Sequence, residues 1–150
     1  MKPVERFAFA PWLGTVQSQP SESAVLVDGQ PSTLTISGRR LCRQYETPAG
    51  YVLITELDFW VEEQVFVVLI SKDLRTVLGE HVLGHWYSSY YLKEVEWLDE
   101  THFFVTLEGL EEYRFYFTLR PRHIPLIYPR LGVACQRLDT RRGTWKRQFF

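Results

Sequence analysis

His81 and His85 stand four residues apart, the spacing at which two imidazoles share one face of a helix and can grip a metal ion. No glutamate lies between them, and Gly79 and the β-branched residues nearby favour a strand. On a strand the same spacing separates the two side chains by ~13 Å, too far to share one ion. The pattern therefore implies no metal site and no cofactor. His102 and His123 are isolated and read as ordinary polar histidines.

Nucleophile chemistry fares no better. No Gly-x-Ser-x-Gly elbow and no glycine-rich phosphate loop occur in the 150 residues. Cys42 and Cys135 carry no motif. Two buried free thiols are the simplest reading, and a single bridge between the early strands and the C-terminal segment is the alternative. The sequence favours a protein that binds over one that catalyses.

Charge and aromatic residues are the stronger signals. Residues 93–112 hold seven acidic side chains against Lys93 alone. Among them, Glu96, Asp99, Glu100, Glu111 and Glu112 are candidates to steer a basic protein partner, as in inhibitor or immunity-type proteins, with Trp60 and Tyr116 as apolar anchors. The ordinary alternative is a solvated strand edge that resists edge-to-edge pairing. A second reading is a small-ligand barrel with Trp86 and Tyr90 lining an aromatic pocket. A third is nucleic-acid binding through the C-terminal tail. There Trp145, Phe149 and Phe150 stack on bases, and Arg141, Arg142, Lys146 and Arg147 meet phosphates.

The net charge of −1 hides a split that bears on all three readings. Residues 1–120 carry 10 basic and 17 acidic residues, a net of −7, whereas residues 121–150 carry 7 basic and one acidic, a net of +6. Such asymmetry marks a nucleic-acid surface, a charged-partner surface, or a tail that folds onto its own body.

The elements that must position these residues read as strands. Val95 and Trp97, then Phe103, Val105 and Leu107, then Tyr113, Phe115, Phe117 and Leu119 fall at every second position, the period of a pleated strand with one face in a core. Phe104 and Tyr116 lie on the opposite face. Asp28-Gly29 predicts a hairpin turn between Ala24–Val27 and Thr33–Ser37, and Leu41–Glu46 and Tyr51–Phe59 predict strands about the turn Thr47–Gly50. The apolar run Val65–Ile70 predicts a strand covered on both faces. Residues 71–83 fit a strand better than the competing helix. His85–Leu92 and Leu131–Leu138 predict further strands.

The expectation is a mainly β chain with little helix. It is a single domain over residues 1–150, an antiparallel meander of about eight to ten strands closed as a barrel or stacked as a sandwich. Residues 1–23 form an irregular lead-in and residues 139–150 a basic tail. No run approaches the ~20 apolar residues of a membrane span, and Phe7–Leu13, interrupted by Pro11, makes a poor signal peptide. A cytoplasmic protein with no membrane partner follows. Arginine far outnumbers lysine, which fits a bacterial source with a GC-rich genome.

Overall fold

The computed structural model describes residues 1–59, 62–84, 89–122 and 129–148. Its strands, in chain order, are β1 (Lys2–Pro3), β2 (Phe7–Phe9), β3 (Glu22–Val27), β4 (Gln30–Ser37), β5 (Arg40–Thr47), β6 (Gly50–Phe59) and β7 (Glu62–Ile70). There follow β8 (Val77–Leu83), β9 (Tyr91–Trp97), β10 (His102–Glu108), β11 (Tyr113–Leu119), β12 (Leu131–Asp139) and β13 (Thr144–Gln148). One 3-10 turn, Val16–Ser18, is the only helical piece among the described residues. The count exceeds the eight to ten expected. The short β1 and β2 fall within the lead-in, and β13 lies within the basic tail.

The strands form three antiparallel sheets. An N-terminal sheet runs β2-β3-β4, a central sheet β1-β5-β6-β7-β8, and a C-terminal sheet β13-β12-β11-β10-β9. None of them closes on itself among the described residues, so of the two expected architectures the sandwich is the one observed. Layer order follows from which side chains meet. Tyr51, Leu53, Phe66, Val68 and Ile70 of the central sheet pack with Phe7, Val25, Leu34 and Ile36 of the N-terminal sheet. Val52, Ile54, Val65, Val67 and Leu69, on the opposite side, pack with Phe103, Val105, Phe115, Phe117 and Leu131 of the C-terminal sheet. Successive residues of β6 and β7 thus enter two different cores, as the unbroken apolar run in β7 requires. Burying each such Val, Leu or Phe stabilises by about 1.5–3 kcal/mol.

Local chemistry sets the turns. Asp28 and Gly29 both have positive φ, 51° and 78°, the conformation of a two-residue type I′ hairpin. Gly50 has φ 140°, and a Cβ there would run into the Ile70 carbonyl, so only glycine fits where β6 starts beside β7. Residues 71–83 resolve as a turn followed by β8. Ser71 Oγ accepts the Thr76 N–H at 3.0 Å, and Leu74 bends the chain with φ 64°. A helix there would have needed an unbroken N–H ladder that this turn interrupts. The thiols of Cys42 and Cys135 are free, on β5 and β12.

One buried carboxylate ties the central and C-terminal sheets. Glu56 sits on the face of β6 that meets the C-terminal sheet and is 4% exposed. Its Oε1 accepts the Leu92 N–H at 2.7 Å, and its Oε2 pairs with the Arg40 guanidinium. Leu92 needs that partner. The β9–β10 register slips between Thr106 and Leu107, leaving Lys93 as an unmatched bulge residue.

Candidate binding surface

The C-terminal sheet has one face in the core and one face turned outward. Register decides which side chains share the outer face. Phe104 pairs with Glu96 and Tyr116, Tyr116 with Ala134, Thr118 with Gly132, Arg114 with Gln136, and Gln136 with Arg147. None of these residues belongs to either core cluster, but Phe104, 8% exposed, and Gly132 are buried beneath their neighbours on this face.

An aromatic–arginine ladder crosses this face. The His102 ring stacks on Tyr116 with centroids 5.7 Å apart, and Tyr116 meets Phe104 at 5.2 Å. The Arg114 guanidinium lies 3.9 Å from the Phe104 centroid and 4.3 Å from that of Trp145. Arg114 Nε also donates to Gln136 Oε1 at 2.7 Å. Burial lowers the Arg114 pKa, and the nearby Glu96 charge opposes that shift. A charge held partly out of water between two rings interacts strongly with their faces. The ladder spans β10, β11 and β13.

Beside the ladder runs a trough of about 510 Å³. It exists because the outward positions of β12 are Gly132 and Ala134, which leave a gap between Tyr116 and Thr118 on β11 and Arg147 on β13. The Arg120 guanidinium lies over Gly132, where a Cβ would be 2.5 Å from Nη1, and Arg120 also donates to the Pro129 carbonyl at 2.9 Å. His81 enters from β8 and bonds through Nε2 to the Leu131 carbonyl at 2.8 Å. A carbonyl only accepts, so Nε2 carries the hydrogen. Arginines, hydroxyls, an amide and one imidazole line the trough, and among the described residues no carboxylate does.

The structure distributes the acidic candidates rather than clustering them. Glu96 is exposed on β9, opposite Phe104. Asp99 and Glu100 occupy the β9–β10 turn, and Glu111 and Glu112 the β10–β11 turn. These turns lie at opposite ends of a seven-residue strand, ~20 Å apart. Four of the five carboxylates already have partners. Asp99 Oδ1 accepts the Thr101 N–H at 2.7 Å and contacts His102 Nδ1 at 2.9 Å. Those bonds, the backbone one first, pull its pKa down to about 2. Glu100 lies 3.7 Å from the N-terminal amine. Glu111 accepts the Gly109 N–H at 3.1 Å, and Glu112 pairs with Arg137 at 3.2 Å.

Tyr116, expected to be an anchor, joins the ladder and lines the trough. Trp60 and Trp86 lie outside the described residues, as do His85, His123, Phe149 and Phe150. Tyr90 is half-buried against the core, its ring occupying the space where side chains at Gly84 and Gly109 would go. Among the described residues no cluster of His, Cys, Asp and Glu is placed to hold a metal ion. No described helix is long and apolar enough to cross a membrane.

The tail does not fold over the acidic strand. β13 pairs with β12, so the basic edge and the acid-bearing β9 are the two opposite edges of one sheet. Residue type alone points to Trp145 and Arg147, but not to Arg114, Arg120 or the small residues Gly132 and Ala134. Their signal, a Gly-x-Ala at alternate positions of a strand, means nothing until the neighbouring strands are known. No protein-family model, curated protein or solved structure matches this chain.

Proposed function

We propose that this chain is a non-catalytic binding module that engages a macromolecular partner across the outer face of its C-terminal sheet. The observation that carries this reading is the ladder His102–Tyr116–Phe104–Arg114–Trp145 on a face that belongs to neither core cluster. Aromatic and arginine side chains dominate binding hot spots because they combine large contact area with directional polar groups. Acidic and basic edges flanking such a face give a partner one orientation. The test is capture of crosslinked partners from the native host by the wild type and by Arg114→Glu and Tyr116→Ala variants with unchanged circular dichroism. Partners lost by both variants support the reading. A partner set that neither variant alters rules it out.

A second reading places a basic protein partner against the acidic side of the molecule, in the manner of an inhibitor or immunity-type protein. It is favoured by β9, an edge strand with Glu94 and Glu96 exposed beside the exposed Asp99 and Glu100. Reversing Asp99 and Glu100 to lysine should then slow association with that partner and flatten its salt dependence. An unchanged on-rate removes the idea.

A further inference from the structure

We infer that a pocket on the outer face of the N-terminal sheet takes an arginine side chain from a partner protein. The site lies apart from the C-terminal sheet and does not rest on either reading above.

The pocket exists because β3 outruns β2. Phe9, the last residue of β2, pairs with Val25, so residues 22–24 of β3 continue with no strand on the β2 side. The loop that joins the two strands encloses about 270 Å³ there. Ala24 and Thr35 face into it, because their neighbours Val25, Leu34 and Ile36 point into the core. Trp12, Gln19, Glu22 and Ser23 line it as well. The space is smaller than the ~300–1,000 Å³ of pockets for drug-sized ligands and suits one side chain.

The loop is organised before anything binds. Trp12 Nε1 donates to the Thr15 carbonyl at 2.9 Å, and a Cβ on Gly14 would lie 2.6 Å from the indole ring. The Thr15 and Ser18 hydroxyls bond each other at 2.8 Å, and the Arg39 guanidinium donates to the Gln19 and Pro20 carbonyls. The indole is thus held in place by its own loop while it stays 47% exposed. An aromatic ring fixed in water adds little to folding, but its ordering no longer opposes a binding event.

Charge selects the ligand. Residues 7–21 carry no charge, and among the described residues Glu22 is the one charged group that lines the pocket. Its carboxylate has no hydrogen bond or ion pair among the described residues. An indole and an uncompensated carboxylate in one pocket attract a cation. Gln19 and Thr35 add oxygens that accept hydrogen bonds. A quaternary ammonium has no hydrogen to give them. A guanidinium donates in its plane, meets a carboxylate through two bonds and lies flat on an aromatic face, which a lysine ammonium does not do. Leu13 and Val16, exposed on the same loop, offer an apolar rim to the residues around that arginine. An anionic membrane is repelled by Glu22.

Nuclear magnetic resonance titration of the full chain with the peptide acetyl-Leu-Arg-Leu-amide tests the assignment. The Trp12 indole N–H and the backbone signals of residues 10–24 should move saturably, with a dissociation constant on the order of 1 mM. The same peptide with neutral citrulline in place of arginine should bind about tenfold more weakly or not at all. The lysine peptide should bind more weakly than the arginine peptide. Glu22→Gln should weaken binding about tenfold, and Trp12→Ala at least as much. Gly14→Ala pushes the indole aside without changing charge and should weaken binding too. Glu108→Gln makes the same charge change as Glu22→Gln on the C-terminal sheet and should have little effect.

Absence of saturable movement with the arginine peptide overturns the inference. So does equal affinity for the citrulline peptide or tighter binding of the lysine peptide, and so do Glu22→Gln and Trp12→Ala proteins that fold and bind like the wild type. Movement of the Trp12 signal by phosphatidylcholine vesicles, without any response to the peptide, assigns the loop to a lipid surface and overturns it as well. None of these outcomes touches the binding face of the C-terminal sheet, which stands or falls on Arg114 and Tyr116.

Discussion

Arg114 holds Trp145 of the last strand to the body of the sheet, its guanidinium carbon 4.3 Å from the indole centroid. The same group lies 3.9 Å from the Phe104 centroid. β13 is an edge strand of five residues, paired on one side only, and Trp145 is its one half-buried residue. Removing Arg114 therefore loosens β13 first. Arg114→Ala should lower stability by about 1–2 kcal/mol. Amide hydrogens of residues 144–148 should exchange faster while those of β6 and β7 keep their protection. Arg114→Lys keeps the charge but not the plane and should restore only part of the loss. Uniform loss of protection across the central and C-terminal sheets would show that Arg114 supports the whole core and not this strand.

Glu56 fastens the seam between sheets. Its carboxylate is 5% exposed, whereas the partner Arg40 side chain is 70% exposed. The exposed arginine can turn to water, so the ion pair itself adds little. The Leu92 N–H at the β9 bulge has no such freedom. Glu56→Ala should cost about 2–3 kcal/mol, chiefly by leaving that N–H unsatisfied. Glu56→Gln keeps an acceptor for Leu92 and should cost about 1 kcal/mol. Urea unfolding of the two variants checks the order; equal losses would mean that the charge, not the Leu92 bond, holds the seam.

The features of this fold that the sequence discloses have local causes, and those it conceals have non-local ones. The alternation over residues 95–119 places Phe103, Phe115 and Phe117 in the core correctly, because period two is a local property of a pleated strand. The unbroken run Val65–Ile70 is enough to expect two covered faces, and two cores are found. The acidic rim is misleading in one respect. Asp99 and Glu112 are near in sequence, yet a straight strand carries them to opposite ends of β10. The trough is illegible because it depends on Gly132 lying beside Thr118 and Ala134 beside Tyr116, a register set across a long connection. Arg114 gives no signal either, since a charged residue at an outward strand position is ordinary until two rings are found around it.

Alkaline conditions should destabilise the fold through Cys42. Burial pushes its thiol up to about 11, and the neighbouring Glu56 charge adds to the shift. In the unfolded chain the thiol ionises near its ordinary value of 9.0. Between these values the unfolded state binds fewer protons than the folded state, so stability falls as pH rises from 9 to about 11. Cys42→Ala should flatten that decline in urea unfolding. Glu56→Gln removes the adjacent charge and should let a disulfide reagent modify Cys42 faster at pH 9. A decline of the same slope in Cys42→Ala would assign it to other groups, Tyr91 among them, which its bond to Glu63 raises to about 12.

Acid should act on the turn at the foot of the ladder. Asp99 is held at about 2 by the Thr101 N–H first and by His102 next. A carboxylate with a depressed folded pKa stabilises the fold above its unfolded value and stops doing so as pH falls through its folded one. For Asp99 the window runs from 3.8 down to about 2. Protonation there also releases His102, whose ring stacks on Tyr116. The binding face and the turn are thus coupled through one side chain. Asp99→Asn keeps an acceptor for Thr101 but not the charge. In that variant the acid decline over this window should be shallower than in the wild type. The nuclear magnetic resonance signals of Tyr116 should also move with pH over the window in the wild type and stay fixed in the variant. Signals of Tyr116 that move equally in both proteins would show that the turn and the ladder titrate independently.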